Sequence, residues 1–146
     1  MNHWLMKSEP FVFSWENLCR DGRSFWDGVR SHQAAQSLRA MAVDDLSFFY
    51  HSNEGLAVVG IMRIVEGWRL DPSDESGRFG GVVVVPTARL NRPVTLRMIK
   101  QVPELGQLAL VRQSRLSVMP VPPESWLRIL ELSDGFTPIA ESEPIS

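Results

Sequence analysis

The sequence predicts an α+β domain in which about six strands curl into a partly closed β-barrel, with about four short helices around it. Short apolar or alternating runs recur along the chain and end at Pro, Gly or Asn turn signals, which is typical of strands. Apolar residues at helical spacing occur only in short segments between these runs. With 146 residues, 44% of them hydrophobic, the chain is large enough to bury its own core as one domain.

The first strand and the first helix are predicted by their end signals. Residues 3–8 form a short apolar run that stops before Pro10, which places Lys7 near the carboxyl end of the strand. Ser14 is a typical N-cap residue in front of apolar residues at helical spacing, and Gly22 is a stop signal. We therefore expect a short helix soon after the first strand.

The stretch from Trp26 to Arg30 precedes a second predicted helix. It combines an aromatic ring, a carboxylate, a glycine amide and a guanidinium. Together these groups can bind a flat polar ring. The same residues also suit a turn in which Trp26 plugs the core and Asp27 pairs with Arg30. The helix is predicted over about 33–41 because four apolar residues share one face. Those residues are Ala34, Ala35, Leu38 and Met41.

A β-hairpin is predicted next. Residues 46–51 alternate between two faces, residues 53–55 form a tight turn, and residues 56–65 form the returning strand. Gly60, in the middle of that strand, indicates a bend or the close approach of another group. Residues 71–77 have the composition of an exposed loop.

The second half of the chain is predicted to complete the sheet and add two helices. A β-branched run at 81–90 predicts a central strand, in which Pro86 indicates a bulge or an edge. Thr95 is expected to cap a short helix that ends before Pro103. The remaining predicted elements are strands at 108–112 and 116–121, linked by residues 113–115, and a final helix that opens at residues 122–124.

Composition and charge limit the classes of function. The net charge of −2 and the pI of about 5.9 argue against a protein that holds nucleic acid mainly by neutralising many phosphates, although residues 89–115 are locally cationic. The single Cys19 excludes an intrachain disulfide and fits a reducing compartment. The sequence has no pattern of a secretory signal or a membrane span. We therefore expect a soluble, intracellular, cytoplasmic protein.

Motifs for catalysis and metal binding are weak. Asp27, His51 and Ser52 could supply a base and a nucleophile, but adjacent strand residues point to opposite faces, so His51 and Ser52 share a pocket only if the strand has turned. The three His and one Cys lack metal-ligand spacing, and no phosphate-binding loop motif occurs, so we expect no metal and no cofactor. Three stretches do place hydrogen-bonding groups beside an aromatic residue. They are residues 7–9, 26–27 and 50–53.

Several motifs of the chain occur in the order in which a known family has them. They are Trp4-Leu-Met-Lys-Ser-Glu-Pro10, Trp26-Asp-Gly-Val-Arg30, Leu38-Arg-Ala-Met41, Phe49-Tyr-His-Ser52, Val59-Gly-Ile61, Arg92-Pro-Val-Thr-Leu96 and Val111-Arg-Gln-Ser-Arg-Leu-Ser-Val118. The pattern resembles the EVE domain family, which belongs to the PUA-like superfamily together with YTH, ASCH and SRA domains. We therefore expect an EVE domain over residues 1–132 and a polar, acidic, poorly ordered tail over residues 133–146.

The resemblance implies a PUA-like barrel with a pocket for a modified base of DNA or RNA, notably 5-methylcytosine or 5-hydroxymethylcytosine. The implied base-binding residues are Lys7, Ser8, Glu9, Trp26, Asp27, Tyr50, His51 and Ser52. The implied residues of the pocket rim, or of contacts to the nucleic-acid backbone, are Arg30, Arg112, Gln113, Ser114 and Arg115. The chain departs from the usual family pattern, which has Asn, Tyr and Arg at the corresponding places, at Ser31, His32 and Ala35.

Together, the residues and the resemblance predict a non-enzymatic reader that takes a flipped, modified base into an aromatic pocket. Two alternatives stay open. One is a hydrolase of a modified nucleoside or amide, as in some ASCH-like proteins, with Lys7 and Glu9 as acid and base. The other is a protein-interaction module. On sequence alone, Trp26→Ala is expected to remove binding and leave the fold largely intact. The choice between DNA and RNA, the preferred modification and the oligomeric state stay open.

Overall fold

The chain folds around one bent, mixed β-sheet, seen in a computed structural model that describes residues 1–139. The strands of this region are β1 (His3–Ser8), β2 (Ser24–Trp26), β3 (Leu46–His51), β4 (Ala57–Leu70), β5 (Gly80–Thr95), β6 (Val118–Pro120) and β7 (Phe136–Pro138). Its helices are α1 (Trp15–Asp21), α2 (His32–Ala40), α3 (Leu96–Lys100), α4 (Ala109–Arg112) and α5 (Pro123–Leu132), with a 3-10 turn at Pro103–Leu105. The strand order is β2-β5-β4-β3-β1-β6, and β7 pairs with β5.

The sheet curls into half of a barrel, which confirms the predicted partly closed architecture. Its two long strands, β4 with 14 residues and β5 with 16 residues, pair along most of their length and shift register repeatedly. One shift skips Thr87 beside Pro86, so the bulge predicted at that proline is present. Each shift adds a local bend and extra twist to the pair, which allows the sheet to curl.

Strands β1 and β3 lie side by side in parallel, so their carboxyl ends meet at one edge. Lys7 lies opposite Tyr50, and Ser8 lies opposite His51. Just beyond the strands, the backbone N–H of Ser52 donates to the carbonyl of Ser8 at 2.9 Å. This pairing brings together the backbones of two stretches that are more than 40 positions apart in the sequence.

Both faces of β3 are buried, so the barrel core lies on one side of it and a helix covers the other. The ring of Phe48 stacks on Trp126 of α5, with ring centroids 3.8 Å apart and an interplanar angle of 15°. The ring of Phe49 points the other way and makes edge contacts with Trp15 and Trp26, each at 5.5 Å between centroids. Such edge-to-face packing holds the aromatic rings in fixed orientations.

The predicted helix caps are present. Ser14 Oγ accepts a hydrogen bond from the backbone N–H of Asn17, and the Asn17 side chain accepts one in return from Ser14 N. Thr95 Oγ1 accepts from Met98 N at 3.1 Å and begins α3. Helix α2 begins one residue earlier than predicted, after the N-cap Ser31. No helix within residues 1–139 is long and apolar enough to cross a membrane.

The predicted strand at residues 108–112 is wrong, because most of this segment forms the short helix α4. The backbone N–H groups of Val111 and Arg112 both donate to the carbonyl of Leu108. An apolar run this short has no clear period, so strand and helix cannot be separated by pattern alone. The strand predicted at 116–121 is shorter than expected, and β2 was not anticipated.

The first part of the expected tail continues the fold. Ser133 is fully buried, and its hydroxyl donates to backbone carbonyl oxygens next to it. Strand β7 pairs antiparallel with β5, and the Asn91 side chain bonds to Asp134 O and Thr137 Oγ1. The expectation of poor order therefore does not hold for residues 133–139, and residues 140–146 lie outside the described part of the chain.

We expect Gly60→Ala to lower the free energy of unfolding by about 1–3 kcal/mol, as overpacking of a core does. A Cβ atom at Gly60 would overlap the indole of Trp15, which is 1% exposed. Gly67→Ala, on the same strand, is the matched control. A Cβ at Gly67 would come no nearer than 3.9 Å to the Met41 carbonyl. The free energy of unfolding of Gly67→Ala should therefore change by no more than about 0.5 kcal/mol. Urea denaturation of both variants checks this, and equal losses would contradict it.

Candidate functional site

A cleft of about 560 Å³ opens at the carboxyl end of β1. It is formed by the end of β1 with the turn that follows, by β2 with the loop that follows, and by one residue just before β6. The lining residues are Lys7, Ser8, Glu9, Val12, Phe13, Ser24, Phe25, Trp26, Asp27, Gly28, Val29, Arg30 and Ser117. The fold therefore brings the stretches 7–9 and 26–30 together around one opening.

Trp26 lies on the wall of this cleft but is mostly buried. It is 7% exposed, and its indole makes T-shaped contacts with Phe49 at 5.5 Å and with Phe13 at 6.3 Å between centroids. Its backbone pairs with Val82 of β5 and lies so close to Gly81 that a Cβ at Gly81 would overlap the Trp26 carbonyl oxygen. The indole therefore serves both the core and the cleft. Replacement by Ala removes core packing, so the expectation that the fold is largely unaffected needs correction.

Ser8 is held by the turn that follows β1. Its hydroxyl donates to the carbonyl of Phe13 at 2.5 Å. Because a hydroxyl has one proton and two lone pairs, Ser8 Oγ is left as an acceptor toward the cleft. A hydroxyl that donates to a backbone carbonyl has no base beside it, so this geometry does not activate Ser8 as a nucleophile.

Lys7 connects the cleft to the segment before β6. Its Nζ donates to the carbonyl of Ser114 at 3.0 Å and lies 5.7 Å from the centre of the Tyr50 ring. Partial burial lowers the pKa of Lys7 from its ordinary value, because removal from water disfavours the ammonium form. Two N–H groups of the ammonium remain for other acceptors.

Tyr50, His51 and Ser52 lie behind the cleft and are not among its lining residues. Tyr50 is 2% exposed, and burial raises the pKa of its hydroxyl to about 12. His51 Nε2 accepts a hydrogen bond from Trp15 N at 3.1 Å, so this ring holds the start of α1. The register of β1 and β3 brings the three residues next to Ser8, but their side chains support the wall and do not form it. The set of Asp27, His51 and Ser52 is thus not assembled around the cleft.

Asp27 and Arg30 lie in the loop after β2 and differ in how they are held. Asp27 is exposed, and no hydrogen bond from residues 1–139 reaches its carboxylate. Arg30 reaches the hairpin between β4 and β5, where Nη2 lies 3.6 Å from Asp71 Oδ2 and the guanidinium lies 5.2 Å from the Phe79 ring centre. Hydrogen bonds from Ser73, with the Arg30 charge adding to them, lower the pKa of Asp71. Arg30 is therefore a positioned cation, and Asp27 is an acceptor open to a ligand.

None of the four predicted rim residues in the segment 112–115 lines the cleft, but Lys7 connects this segment to it. Arg112, Gln113, Ser114 and Arg115 are all exposed, and the bond from Lys7 to Ser114 fixes this segment against the end of β1. Arg112 Nε also donates to the carbonyl of Gly106 at 3.2 Å. Of the predicted rim cations, Arg30 lines the cleft, and Arg112 and Arg115 stay predictions.

Sequence reasoning missed several residues of the cleft. Val12 and Phe13 belong to the turn after β1, and Phe25 belongs to the unpredicted strand β2. The Arg69 guanidinium of β4 lies 4.5 Å from the Phe25 ring centre, although Arg69 itself does not line the cleft. The aromatic and apolar content of residues 11–13 was a usable signal, but contacts across the hairpin could not be read from spacing.

The departures from the family pattern lie next to the cleft, not in it. Ser31 caps α2, His32 lies 5.9 Å from the Phe79 ring, and Ala35 is 2% exposed. A long cationic side chain in place of Ala35 would need different packing around α2. None of the three lines the cleft.

Cleft size alone does not single out this site. A groove of about 530 Å³ lies between His3, Trp4 and Pro122, and another of about 620 Å³ lies between Leu56, Arg97 and neighbouring residues. The indole N–H of Trp4 is already bonded to Asp45 at 3.0 Å. The cleft at β1 differs from both because a Trp, the open Asp27 carboxylate and two cations, Lys7 and Arg30, line it together.

Comparison with known proteins identifies the family. The family model described as the EVE domain matches residues 2–132. The chain belongs to the EVE domain family. Thymocyte nuclear protein 1 from mouse is 32% identical over 91% of this chain and 74% of its own length. This EVE domain was also predicted to be cytoplasmic, and that stays a prediction.

Solved structures agree with this assignment. A crystal structure of a protein from Agrobacterium tumefaciens has a TM-score of 0.88 and 38% identity over 92% of this EVE domain and 94% of its own chain. A crystal structure of human thymocyte nuclear protein 1 in complex with 5-methylcytosine-containing DNA has a TM-score of 0.84 and 30% identity over 99% and 100% of the two chains. An ASCH protein from Zymomonas mobilis, with a TM-score of 0.54 and 11% identity over 90% and 95% of the two chains, shares the fold alone. The predicted PUA-like class is confirmed.

Proposed function

We propose that this EVE domain is a non-enzymatic reader that binds one modified base, 5-methylcytosine or 5-hydroxymethylcytosine, after that base has left its DNA or RNA strand. The observation that carries the proposal is the convergence of Trp26, Asp27 and Lys7 on one cleft. A relative of the same fold, human thymocyte nuclear protein 1, was solved with DNA that contains 5-methylcytosine, which supports this ligand class.

The cleft has the size and the apolar wall that a base requires. Its volume of about 560 Å³ lies within the usual range for small-molecule pockets, about 300–1,000 Å³. Trp26 offers the accessible part of its indole, and Phe13 and Val12 extend the apolar surface. A methyl group at C5 of a pyrimidine gains from contact with such groups, as the thymine methyl does elsewhere.

Polar groups around the cleft match the edge of a cytosine. The exocyclic amino group is a donor, and the Asp27 carboxylate and Ser8 Oγ are acceptors. The ring nitrogen and the carbonyl oxygen are acceptors, and Lys7 has N–H groups left for them. We assign edge recognition to these three side chains, and we assign support of the wall to Tyr50 and His51.

Part of the affinity must come from contacts to the nucleic-acid backbone. Stacking of a base on an aromatic ring contributes about 1–3 kcal/mol, which is comparable with the few kcal/mol needed to extrude a base. Phosphate contacts are needed for net binding, and we assign them to Arg30, which lines the cleft, and to the exposed Arg112 and Arg115 of the segment that Lys7 contacts. Because the net charge of the protein is −2, we expect these contacts from a local cationic patch and not from a uniformly basic surface.

The proposal is tested with oligonucleotides that differ only in one cytosine methyl or hydroxymethyl group. Fluorescence anisotropy on DNA and RNA forms should show tighter binding to a modified form by about 10–200-fold, the range expected for one methylene in an apolar pocket. Equal affinity for modified and unmodified strands would contradict it. Chromatography of the same samples detects hydrolysis of the modified nucleoside, and turnover would favour the hydrolase in which Lys7 and Glu9 act as acid and base.

We expect Asp27→Ala to lower the affinity for both modified and unmodified strands by about tenfold or more, because a hydrogen bond to a charged group is lost. The ratio between the two strands should stay unchanged, since the amino group is common to both. Asp21→Ala, an exposed carboxylate on α1 outside the cleft, is the matched control. An unchanged affinity in Asp27→Ala would remove this residue from the proposed site.

A further inference from the structure

Two adjacent apolar side chains project into solvent at the rim of the cleft. Phe11 is 81% exposed and Val12 is 78% exposed, in the turn that follows β1. Single exposed apolar residues are ordinary on protein surfaces. This pair differs because Val12 also lines the cleft and Phe11 is its neighbour in the chain.

The turn that presents the pair is held from both ends. The backbone N–H groups of Val12 and Phe13 both donate to the carbonyl of Glu9 at 2.9 Å. Ser8 Oγ bonds to the carbonyl of Phe13, and the Phe13 ring packs 6.4 Å from Phe49. The exposed side chains are therefore carried by a fixed loop next to the place where an extruded base would sit.

A duplex that loses a base from its stack has a gap beside the bases that remain. Proteins that distort DNA often insert an apolar wedge such as Phe, Leu or Ile between base steps, which compensates for lost stacking. A single strand has no continuous stack to fill, so such a wedge serves a double-stranded target. Arg30 lines the same cleft, and its guanidinium suits a flanking phosphate.

We propose that Phe11 and Val12 form a wedge that enters a nucleic-acid duplex where a modified base has moved into the cleft, and that the preferred target is therefore double-stranded. This inference rests on the proposed function. It adds the form of the target, which the sequence left open, and a role for two residues outside the predicted site.

Phe11→Ala, which removes the wedge residue that does not line the cleft, tests it, with the same 5-methylcytosine sequence offered as a duplex and as a single strand. Anisotropy should show a loss of about tenfold or more for the duplex and little change for the single strand. The fluorescence of a 2-aminopurine placed next to the modified base should rise on binding of the unaltered protein and rise less with the variant. Val43→Ala/Leu127→Ala removes two exposed apolar side chains that do not line the cleft and should leave both affinities unchanged.

The outcomes separate the wedge from the reader itself. If duplex and single strand lose affinity equally, the turn supports the cleft and is not a wedge. If Phe11→Ala binds the duplex unchanged, the inference is overturned, and a loss of self-association in sedimentation would then identify Phe11 as a contact between two copies. If neither form distinguishes 5-methylcytosine from cytosine with the unaltered protein, the proposed function fails, and that result is visible before any variant is made.

Discussion

Trp26→Ala is expected to lower the affinity for a strand containing 5-methylcytosine by about tenfold to a hundredfold, since stacking on an aromatic ring contributes about 1–3 kcal/mol. The same change is expected to lower the free energy of unfolding by about 3–5 kcal/mol, the usual cost of replacing a buried Trp by Ala. Both effects follow from one position, because the indole is 7% exposed, packs on Phe49 and Phe13, and also lines the cleft.

A second substitution separates binding from stability at this position. Trp26→Phe keeps an aromatic ring at the wall and fills most of the core volume, so both losses should be smaller than in Trp26→Ala. Circular dichroism at the temperature of the binding assay establishes that each variant is folded. A folded Trp26→Ala protein that distinguishes 5-methylcytosine from cytosine as well as the unaltered protein does would show that the base lies elsewhere.

Asp45→Asn is expected to lower the free energy of unfolding by about 1.5–3 kcal/mol, the range for hydrogen bonds to a charged group. Asp45 is 3% exposed, and its carboxylate accepts from Trp4 Nε1, Asn2 N and Ala42 N. All three partners are hydrogen-bond donors. The Asn side chain of the variant has an NH₂ group, also a donor, which would face one of them. Asp44→Asn is the matched control, since that side chain is 68% exposed and pairs only at the surface with Arg63. Asp44→Asn should lower the free energy of unfolding by less than about 1 kcal/mol.

The contribution of Asp45 to stability should depend on pH. Burial alone would raise the pKa of this carboxyl, but the hydrogen bonds from Ala42, Trp4 and Asn2 outweigh it, and the pKa lies below its ordinary value of 3.8. A lowered pKa in the folded state means that the stabilisation is complete above about pH 4–5 and is lost as pH falls below the unfolded value, near 3.9. Urea denaturation from pH 7 to pH 3 should show the unaltered protein and Asp45→Asn converging at the acid end. A constant difference over that range would contradict this assignment.

Elements of the fold could be predicted where the residues that determine them lie within the element or at its ends. The Ser14 cap and the Gly22 stop enclose α1, and the apolar face at Ala34 and Leu38 predicts α2. The strand predicted at 108–112 failed because a short apolar run has no clear period, and its state depends on what packs around it. Strand β2 was missed because its three residues are held only by pairing with β5, which is a contact across more than 50 positions.

The site could be predicted in part. The family motifs identify the stretches that form it, but they do not show in which direction each side chain points. Residues 7–9 and 26–30 meet as expected. The side chains of Tyr50 and His51 do not line the cleft, since Tyr50 is turned into the protein and His51 holds the start of α1. The register shift between Phe49 and Tyr50 skips Val59, so the extra residue lies in β4 and the faces of β3 still alternate, which turns Tyr50 away from the face of Phe49. The turn at residues 9–13, which adds Val12 and Phe13 to the wall, depends on backbone bonds that no sequence pattern announces.

A crystal structure of this EVE domain with a short duplex that contains one 5-methylcytosine shows whether the base enters the cleft. We expect electron density for the modified base inside the cleft, in van der Waals contact with Trp26, with its amino group within hydrogen-bond distance of Asp27 or Ser8. A duplex bound with every base still stacked and the cleft without a base would contradict it.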